Sequence, residues 1–242
     1  MKNKKACLMF TGQIRTFKKC IENIFENLIN CNSEYNFDIY FLLDKISKSK
    51  KHNYVEESIN LENKIINSFQ KYSNSINIKI FIQDINYPDY CKDGPCYALY
   101  KNEMLINKIK DLTSIINYDI FIRMRPDVIF SEPLYLYILD LNNKIHIINS
   151  ACKIKCYIHN RDWDYMCVSD LKGMELWGKY HTFLKNFKKS FPNVIKFNNK
   201  SYWEKTTNDI SVSATQQLFE YVLNNNYELI FDSGNTFLTI IR

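Results

Sequence analysis

The segment Tyr118–Phe130, with the sequence YDIFIRMRPDVIF, carries the side chains best suited to chemistry in this 242-residue chain. An apolar run at 120–122, rich in branched and aromatic residues, predicts a buried strand. If that strand continues, Arg123, Arg125 and Asp127 project on one side of it at a spacing of two. The pattern would thus bring two cations and one carboxylate close together.

Pro126 limits where these side chains can lie. It has no backbone N–H to donate to a sheet, so the strand is expected to end or bend there. Arg123, Arg125 and Asp127 then stand at the C-terminal end of a central strand, the edge at which open α/β sheets bind ligands. A structural Arg–Asp ion pair at a strand end is the alternative interpretation.

Composition excludes several classes of protein. Hydrophobic residues make up 46% of the chain and only five Gly and five Pro occur, which is unlike a disordered or fibrous protein. No apolar run approaches the roughly 20 residues of a transmembrane segment. Ala6–Phe10 is too short for the apolar part of a signal peptide and predicts a first strand instead. These features predict a cytoplasmic, soluble protein in which the eight cysteines are reduced thiols.

The charge pattern argues against a nucleic-acid partner. The chain has 32 basic and 26 acidic residues, a net charge of +6, and its lysines are spread along the sequence. Binding of nucleic acid needs a focused basic patch with aromatic side chains that stack on bases. The 17 Tyr and 16 Phe fall mainly at positions with core-like periodicity.

Hydrophobic periodicity predicts alternating strands and helices in the first half. The predicted strands are Ala6–Thr11, Phe37–Leu43, Ile76–Ile82 and Tyr118–Phe130. The predicted helices are Lys18–Asn30, Tyr54–Tyr72 and Cys96–Ile116, the last with Leu105, Ile109, Leu112 and Ile116 on one face. In the second half the predicted strands are Lys144–Asn149, Tyr165–Ser169, Tyr227–Phe231 and Thr236–Ile241, and the predicted helices are Leu171–Phe187 and Ser213–Asn224. This order predicts one α/β domain over residues 1–242, with a mostly parallel sheet and helices on both faces.

Three segments in the same order resemble a known family. Residues 10–17, FTGQIRTF, contain Gly-Gln-x-Arg-Thr directly after the first strand. Tyr118-Asp119 is followed by Arg-Met-Arg-Pro-Asp at 123–127, and residues 164–169, DYMCVS, are followed by an apolar Met174. Together these segments resemble small glycosyltransferases with the glycosyltransferase-A fold.

The resemblance implies a single-domain, glycosyltransferase-A-like (Rossmann-like) enzyme with a nucleotide-binding half at 1–130 and an acceptor half at 131–242. Such an enzyme moves a sugar from a nucleotide-diphosphate donor to a hydroxyl of a glycan or lipid-linked glycan. Two alternatives stay open. One is transfer of another, phosphoryl-type group from a nucleotide donor to a polysaccharide, and the other is a non-catalytic module that binds nucleotide or glycan.

The resemblance also implies a set of donor-binding residues: Gly12, Gln13, Arg15, Asp44, Arg123, Arg125 and Asp127. Gly12 permits close backbone approach, and Gln13 can contact the base or ribose. Arg15 precedes a helix whose N-terminus favours phosphate. An ordinary exposed turn is the alternative interpretation of Gln13 and Arg15. Asp44 either contacts ribose or caps the following segment. For Lys101, a solvated helix face is favoured over contact with the donor.

The same resemblance bears on the use of a metal. The family grips a divalent metal (Mn²⁺ or Mg²⁺) with Asp-x-Asp, whereas here Arg125 replaces the first Asp. Either Asp127 alone keeps a metal, the slightly favoured interpretation, or Arg123 and Arg125 neutralise the phosphates directly.

An inverting enzyme also needs a base that accepts the proton of the acceptor hydroxyl. The candidates lie in the sequence HNRDWD: Asp164, then Asp162, with His159 as a further candidate. Trp163 between the two carboxylates offers a platform for a sugar ring. Asp162 or Asp164 as a turn cap is the alternative.

Overall fold

The computed structural model describes residues 4–12, 14, 16–49, 54–57, 61–72, 76–89, 94–112, 117–148, 165–186, 196–197, 200–201, 221–232 and 238–240. The strands are β1 Lys4–Thr11, β2 Tyr35–Asp44, β3 Ile46–Ser49, β4 Tyr54–Glu57, β5 Asn77–Gln83, β6 Ile120–Met124, β7 Val128–Phe130, β8 Lys144–Ile148, β9 Met166–Ser169, β10 Lys196–Phe197, β11 Lys200–Ser201, β12 Glu228–Asp232 and β13 Leu238–Ile240. The α-helices are α1 Phe17–Ile24, α2 Glu62–Gln70, α3 Gly94–Leu112 and α4 Leu171–Asn186. A π-helical turn, Phe25–Ile29, and a 3₁₀ turn, Asn30–Asn32, continue α1, and a further 3₁₀ turn covers Leu136–Ile138.

Seven of these strands form one mixed sheet in the order β12-β8-β9-β6-β1-β2-β5. β9 is antiparallel to both of its neighbours, β6 and β8. Every other pair of neighbouring strands in this sheet is parallel. The prediction of an α/β protein with a mostly parallel sheet and a central strand at 120–122 is therefore confirmed, since β6 is the fourth of the seven strands.

Helices cover both faces of the sheet. On one face, Leu8 and Phe10 of β1 pack in a buried cluster with apolar side chains of α1 and α2. On the other face, Cys7 and Met9 of the same strand pack with α3 and α4. Successive residues of a strand point to opposite faces, so both faces of the central strands are apolar.

Three predicted elements differ from those observed. The helix predicted at Tyr54–Tyr72 is wrong over its first turn, because Tyr54–Glu57 pairs with β3 as an antiparallel hairpin. Tyr54 and Val55 belong to residue types that favour strands, and the helix itself begins at Glu62. Leu112 does not share the buried face of α3, since as its last residue it is 48% exposed. Residues 118–130 form β6 and β7, with a turn between them, and not one strand.

The second half agrees with its predicted elements where the structure describes them. Strands β8, β9, β12 and β13 and helix α4 fall within or next to the predicted ranges. Of the helix predicted at Ser213–Asn224, residues 221–224 are described and are helical. The thiols of Cys7, Cys20 and Cys167 are free and buried, as expected of small apolar residues in the core. Within the described part of the chain, no helix is both long and apolar enough to cross a membrane.

Candidate functional site

The chain places β2 and β5 on one side of β1 and β6 on the other side. From β1 the chain builds outward through β2 to β5, and α3 then carries it back to β6 on the other side of β1. Neighbouring strands whose connections leave in opposite directions open a crevice at their C-terminal ends, where open α/β sheets bind ligands. The parallel register pairs Phe10 with Met124, so the turns after β1 and β6 meet at this crevice.

Gly12 and Pro126 bring these two turns into contact. Gly12 has a φ of 145°, a conformation that residues with a side chain rarely adopt. A Cβ atom at this position would lie 3.1 Å from Cδ of Pro126. The glycine of the first motif thus accommodates the proline of the second, and the two motifs form one edge of the sheet.

Arg123 is buried on the α3 side of the sheet. Its Nε donates to Oγ1 of Thr11 at 2.8 Å, and its Nη2 donates to the Thr11 carbonyl oxygen at 3.4 Å. The Arg123 side chain is almost fully buried. Burial lowers the pKa of the neighbouring Lys101, and the positive charge of Arg123 contributes to this decrease. Arg123 therefore links the ends of β6 and β1 and adds positive charge beneath the crevice.

Arg125 and Asp127 form a bidentate ion pair. Nε and Nη2 of Arg125 donate to the two carboxylate oxygens of Asp127, each at 2.9 Å. The Arg125 side chain is 24% exposed and that of Asp127 only 1%. Tyr165 lies against the pair: its carbonyl oxygen accepts from the Arg125 backbone N–H at 2.9 Å, and the guanidinium carbon lies 5.7 Å from the centre of its ring.

The strand ends at Met124, in agreement with the expected end or bend at Pro126, so the one-sided projection of Arg123, Arg125 and Asp127 that a continuous strand would produce does not occur. Arg123 contacts groups on the α3 side, whereas Asp127 faces α1. There, burial raises the pKa of the Cys20 thiol to about 11, and the charge of Asp127 contributes to the increase. The ion pair considered as an alternative is present, and it stands at the edge where a ligand was expected.

A second polar cluster stands at the end of β2. Lys101 of α3 donates to Oδ2 of Asp44, and the Tyr87 hydroxyl donates to Oδ1 of the same carboxylate at 3.0 Å. Burial lowers the pKa of Lys101, while the charge of Asp44 acts in the opposite direction. Burial and the Asp44 charge both raise the pKa of Tyr87. The prediction of a solvated helix face for Lys101 is wrong, since its side chain is 6% exposed.

Several predicted site residues lie outside the described residues: Gln13, Arg15, His159, Asp162, Trp163 and Asp164. Among the described ones, the structure brings Gly12, Arg123, Arg125 and Asp127 together at the crevice between β1 and β6, and Asp44 ends the adjoining strand β2.

Among the described residues, Asp127 is arranged as the partner of Arg125 and not as part of a metal site. Both of its carboxylate oxygens accept hydrogen bonds from Arg125. In the described ranges, no three His, Cys, Asp or Glu side chains are grouped so that they could hold a metal ion. Asp127 as a metal ligand stays a prediction.

Sequence reasoning missed the roles of Thr11, Tyr87 and Tyr165, and it misjudged Lys101. A signal existed for Lys101, which precedes Leu105 by four residues and so shares the buried face of α3. No comparable signal exists for Tyr87 or Tyr165, because their partners lie 43 and 40 residues away in the sequence. Their positions follow from the tertiary structure alone.

The arrangement as a whole can bind an anionic ligand at a sheet edge through the partly exposed guanidinium of Arg125 and the backbone at Gly12, which a ligand can approach closely. A carboxylate held by Lys101 and Tyr87 lies one strand away and can accept hydrogen bonds from ligand hydroxyls. Neither models of known protein families nor curated protein sequences match the chain.

Proposed function

We propose that this protein is a nucleotide-sugar-dependent glycosyltransferase of glycosyltransferase-A-like fold that transfers a sugar to a hydroxyl of a glycan or lipid-linked glycan. The observation that carries the proposal is the meeting of two family-like motifs at one crevice, where Gly12 packs on Pro126. The mostly parallel seven-stranded sheet with helices on both faces is compatible with such a fold. The switch in strand order between β1 and β6 is where a nucleotide is expected to bind.

The donor diphosphate is proposed to lie across the ends of β1 and β6. Arg125 would contact it, because its guanidinium is the partly exposed cation of the pair and is oriented by Asp127. A guanidinium held in this way supplies charge-assisted hydrogen bonds to the phosphates as negative charge builds on the leaving oxygen. Arg123 contributes positive charge from beneath the crevice.

The acceptor side is proposed to carry the base. β9 runs antiparallel to β6, and Met166 pairs with Met124, so the chain enters β9 at the same edge at which β6 ends. Tyr165 contacts Arg125 there, and Asp164 is the preceding residue of the sequence. Asp164 is therefore our candidate for the base that accepts the proton of the acceptor hydroxyl, with Asp162 as the alternative.

The proposed reaction has no step that runs through a metal, because Asp127 is arranged as the partner of Arg125. Positive charge at the diphosphate is assigned to Arg125 and Arg123 instead. If the protein resembles the family members that bind Mn²⁺ or Mg²⁺, it should require such a metal. Ligand binding is therefore tested with and without Mn²⁺.

A thermal-unfolding screen with common nucleoside diphosphates and their sugar conjugates, each with and without Mn²⁺, tests the proposal. A ligand present at about 100 times its Kd stabilises the folded state by about 2.7 kcal/mol, which corresponds to roughly 5–10 °C for a chain of this size. We expect at least one nucleoside diphosphate and its sugar conjugate to produce such a shift. Release of nucleoside diphosphate from that conjugate, slow in water and faster with glycan acceptors, would then report transfer.

The outcomes separate the proposed function from its alternatives. Stabilisation without any hydrolysis or transfer would indicate a binding module. Transfer of a phosphoryl-type group, with nucleoside monophosphate as the released product, would indicate the other transferase. If no nucleotide or nucleotide sugar shifts the unfolding temperature under either condition, the proposal is wrong.

A further inference from the structure

Asp44 is held from two sides at the end of β2. The ammonium of Lys101 and the hydroxyl of Tyr87 both donate to its carboxylate, the hydroxyl at 3.0 Å from Oδ1 and 3.3 Å from Oδ2. The ring of Tyr87 is itself fixed by Tyr97, whose ring centre lies 4.4 Å away, and by Tyr100 at 5.9 Å. Donors on a loop and on a helix thus fix the orientation of a carboxylate that ends a strand.

Burial differs between the two charged partners. The Lys101 side chain is 6% exposed, whereas that of Asp44 is 21% exposed. A buried ammonium is costly unless it is paired, so Lys101 and Asp44 depend on each other. The contact with Lys101 fixes the position of the carboxylate, and the exposed part of Asp44 remains within reach of a ligand at the C-terminal edge of the sheet.

We infer that Lys101 and Tyr87 are positioning residues that fix the Asp44 carboxylate to accept hydrogen bonds from the ribose hydroxyls of the donor nucleotide. The inference rests on the proposed function and assigns the nucleoside end of the same site. β2 is paired with β1, so Asp44 stands one strand beyond the turn of Gly12, on the side away from Arg125. A nucleotide with its diphosphate at Arg125 would then extend its ribose across β1 towards Asp44.

A purely structural role would give Lys101 and Tyr87 no influence on which nucleotide binds. A role in positioning Asp44 would give them such an influence, because a carboxylate accepts hydrogen bonds from the hydroxyls of the ribose. The ratio of the affinities for a ribonucleotide and for its 2′,3′-dideoxy form therefore separates the two roles. Loss of stability alone would change both affinities in the same way and leave the ratio unchanged.

The test measures, by isothermal titration calorimetry, the affinities of uridine, cytidine, guanosine and adenosine diphosphates and of the 2′,3′-dideoxy form of each. The variants are Lys101→Met, Tyr87→Phe and Asp44→Asn. Tyr87→Phe removes one hydroxyl and keeps the ring packing, so this variant tests the inference even if Lys101→Met fails to fold. Lys108→Met is the matched control, since Lys108 lies on the same helix with its ammonium 5.3 Å from the ring centre of Phe81.

We expect wild type and Lys108→Met to prefer the ribonucleotide by about tenfold or more, the contribution of a charge-assisted hydrogen bond. Asp44→Asn should remove most of this preference, and Tyr87→Phe and Lys101→Met should each reduce it, with affinity for the dideoxy form unchanged. A preference that survives in Tyr87→Phe and in folded Lys101→Met overturns the inference and leaves the proposed function standing. Equal affinity of wild type for the ribonucleotide and its dideoxy form, or no binding of any of these diphosphates, also overturns the inference, whereas the proposed function is refuted only if every nucleotide and nucleotide sugar fails in the thermal screen.

Discussion

The two arginines at the end of β6 differ in their surroundings and so in what each can do. Arg123 is almost fully buried and is tied to Thr11, which suits a role in holding two strand ends together. Arg125 is partly exposed and is oriented by both oxygens of Asp127. The buried carboxylate keeps the guanidinium fork in one orientation before any ligand arrives, which lowers the entropic cost of binding an anion.

The substitution Arg125→Ala should weaken binding of nucleoside diphosphate by roughly 1.5–3 kcal/mol, the contribution of a hydrogen bond to a charged group. This is about 10–150-fold in Kd. Isothermal titration calorimetry with the best ligand of the screen measures it. Arg125→Lys, which keeps a cation beside Asp127 but loses the fork, should give an intermediate affinity. Wild-type affinity in folded Arg125→Ala would remove the diphosphate from this strand end, and Lys179→Ala on the exposed side of α4 serves as the control.

Asp164 is predicted to act in chemistry and not in donor binding. Asp164→Asn preserves the shape of the side chain but removes the proton acceptor, so turnover should fall by roughly 10²–10⁴-fold. Donor affinity should change little, and a comparison of kcat with the donor Kd distinguishes the two effects. Normal turnover in Asp164→Asn, together with a loss in the matched variant Asp162→Asn, would move the role to Asp162.

At the scale of elements, a buried side chain, Asn32, ties the connection after β7 to the end of the first helical segment. Nδ2 of Asn32 donates to the carbonyl oxygens of Leu28 and Leu134, each at 2.7 Å. Its Oδ1 accepts from the backbone N–H of Leu136 at 2.7 Å. Asn32 is fully buried. Its amide group supplies hydrogen-bond partners for backbone groups that no helix or sheet satisfies at this position.

Asn32→Ala should lower the free energy of unfolding by about 3 kcal/mol or more, because it leaves buried backbone groups without their partner. Urea denaturation followed by circular dichroism measures this change. Asn30→Ala, two residues earlier and exposed, is the matched control and should stay within about 0.5 kcal/mol of wild type. Equal losses in the two variants would contradict the assignment.

Helices α3 and α4 are joined by a polar pair within close packing. Nε2 of His181 and Oε2 of Glu103 are 2.5 Å apart, and a Cβ atom at Gly178 would lie 3.1 Å from the backbone of Glu103. The hydrogen bond with His181 lowers the pKa of Glu103, and burial partly opposes it. The close approach of α3 and α4 thus depends on Gly178, and the hydrogen bond between His181 and Glu103 joins the two helices beside it.

The Glu103 pair predicts a loss of stability in acid. The folded-state pKa of Glu103 lies below that of an unfolded glutamate, about 4.3, so the unfolded state takes up a proton first as the pH falls. The contribution of Glu103 is therefore complete above about pH 5 and is lost as the pH falls through its folded-state pKa. Urea denaturation at several pH values should show the stability difference between wild type and Glu103→Gln shrinking below about pH 5. A difference independent of pH would contradict this account.

At the scale of the whole molecule, the antiparallel strand β9 joins the two halves of the chain at one edge. A parallel strand at that position would begin at the opposite edge of the sheet and carry Tyr165 away from Arg125. Because β9 runs against β6, Arg125 and Tyr165 meet through a backbone hydrogen bond of 2.9 Å. Tyr165, the residue before β9, therefore lies at the edge of the sheet where β1, β2 and β6 end.

The sequence by itself determined most of the elements and the edge of the sheet at which Arg125 and Asp127 lie. Apolar runs predicted β1, β2, β6 and β8, and helical spacing predicted α1 and α3, because side-chain burial on a strand or helix repeats with a local period. Pro126 marked the end of β6 for an equally local reason. Where a local signal was ambiguous, as at Tyr54–Glu57, the assignment failed.

Only the tertiary structure decided which side chains meet. Lys101 and Asp44 are 57 residues apart, and Arg123 and Thr11 are 112 apart, so no pattern within one element specifies either contact. The position and direction of β9 are likewise decided by pairing with strands distant in sequence. Periodicity states which face of an element is buried, but the partner on that face depends on how all the layers pack at once.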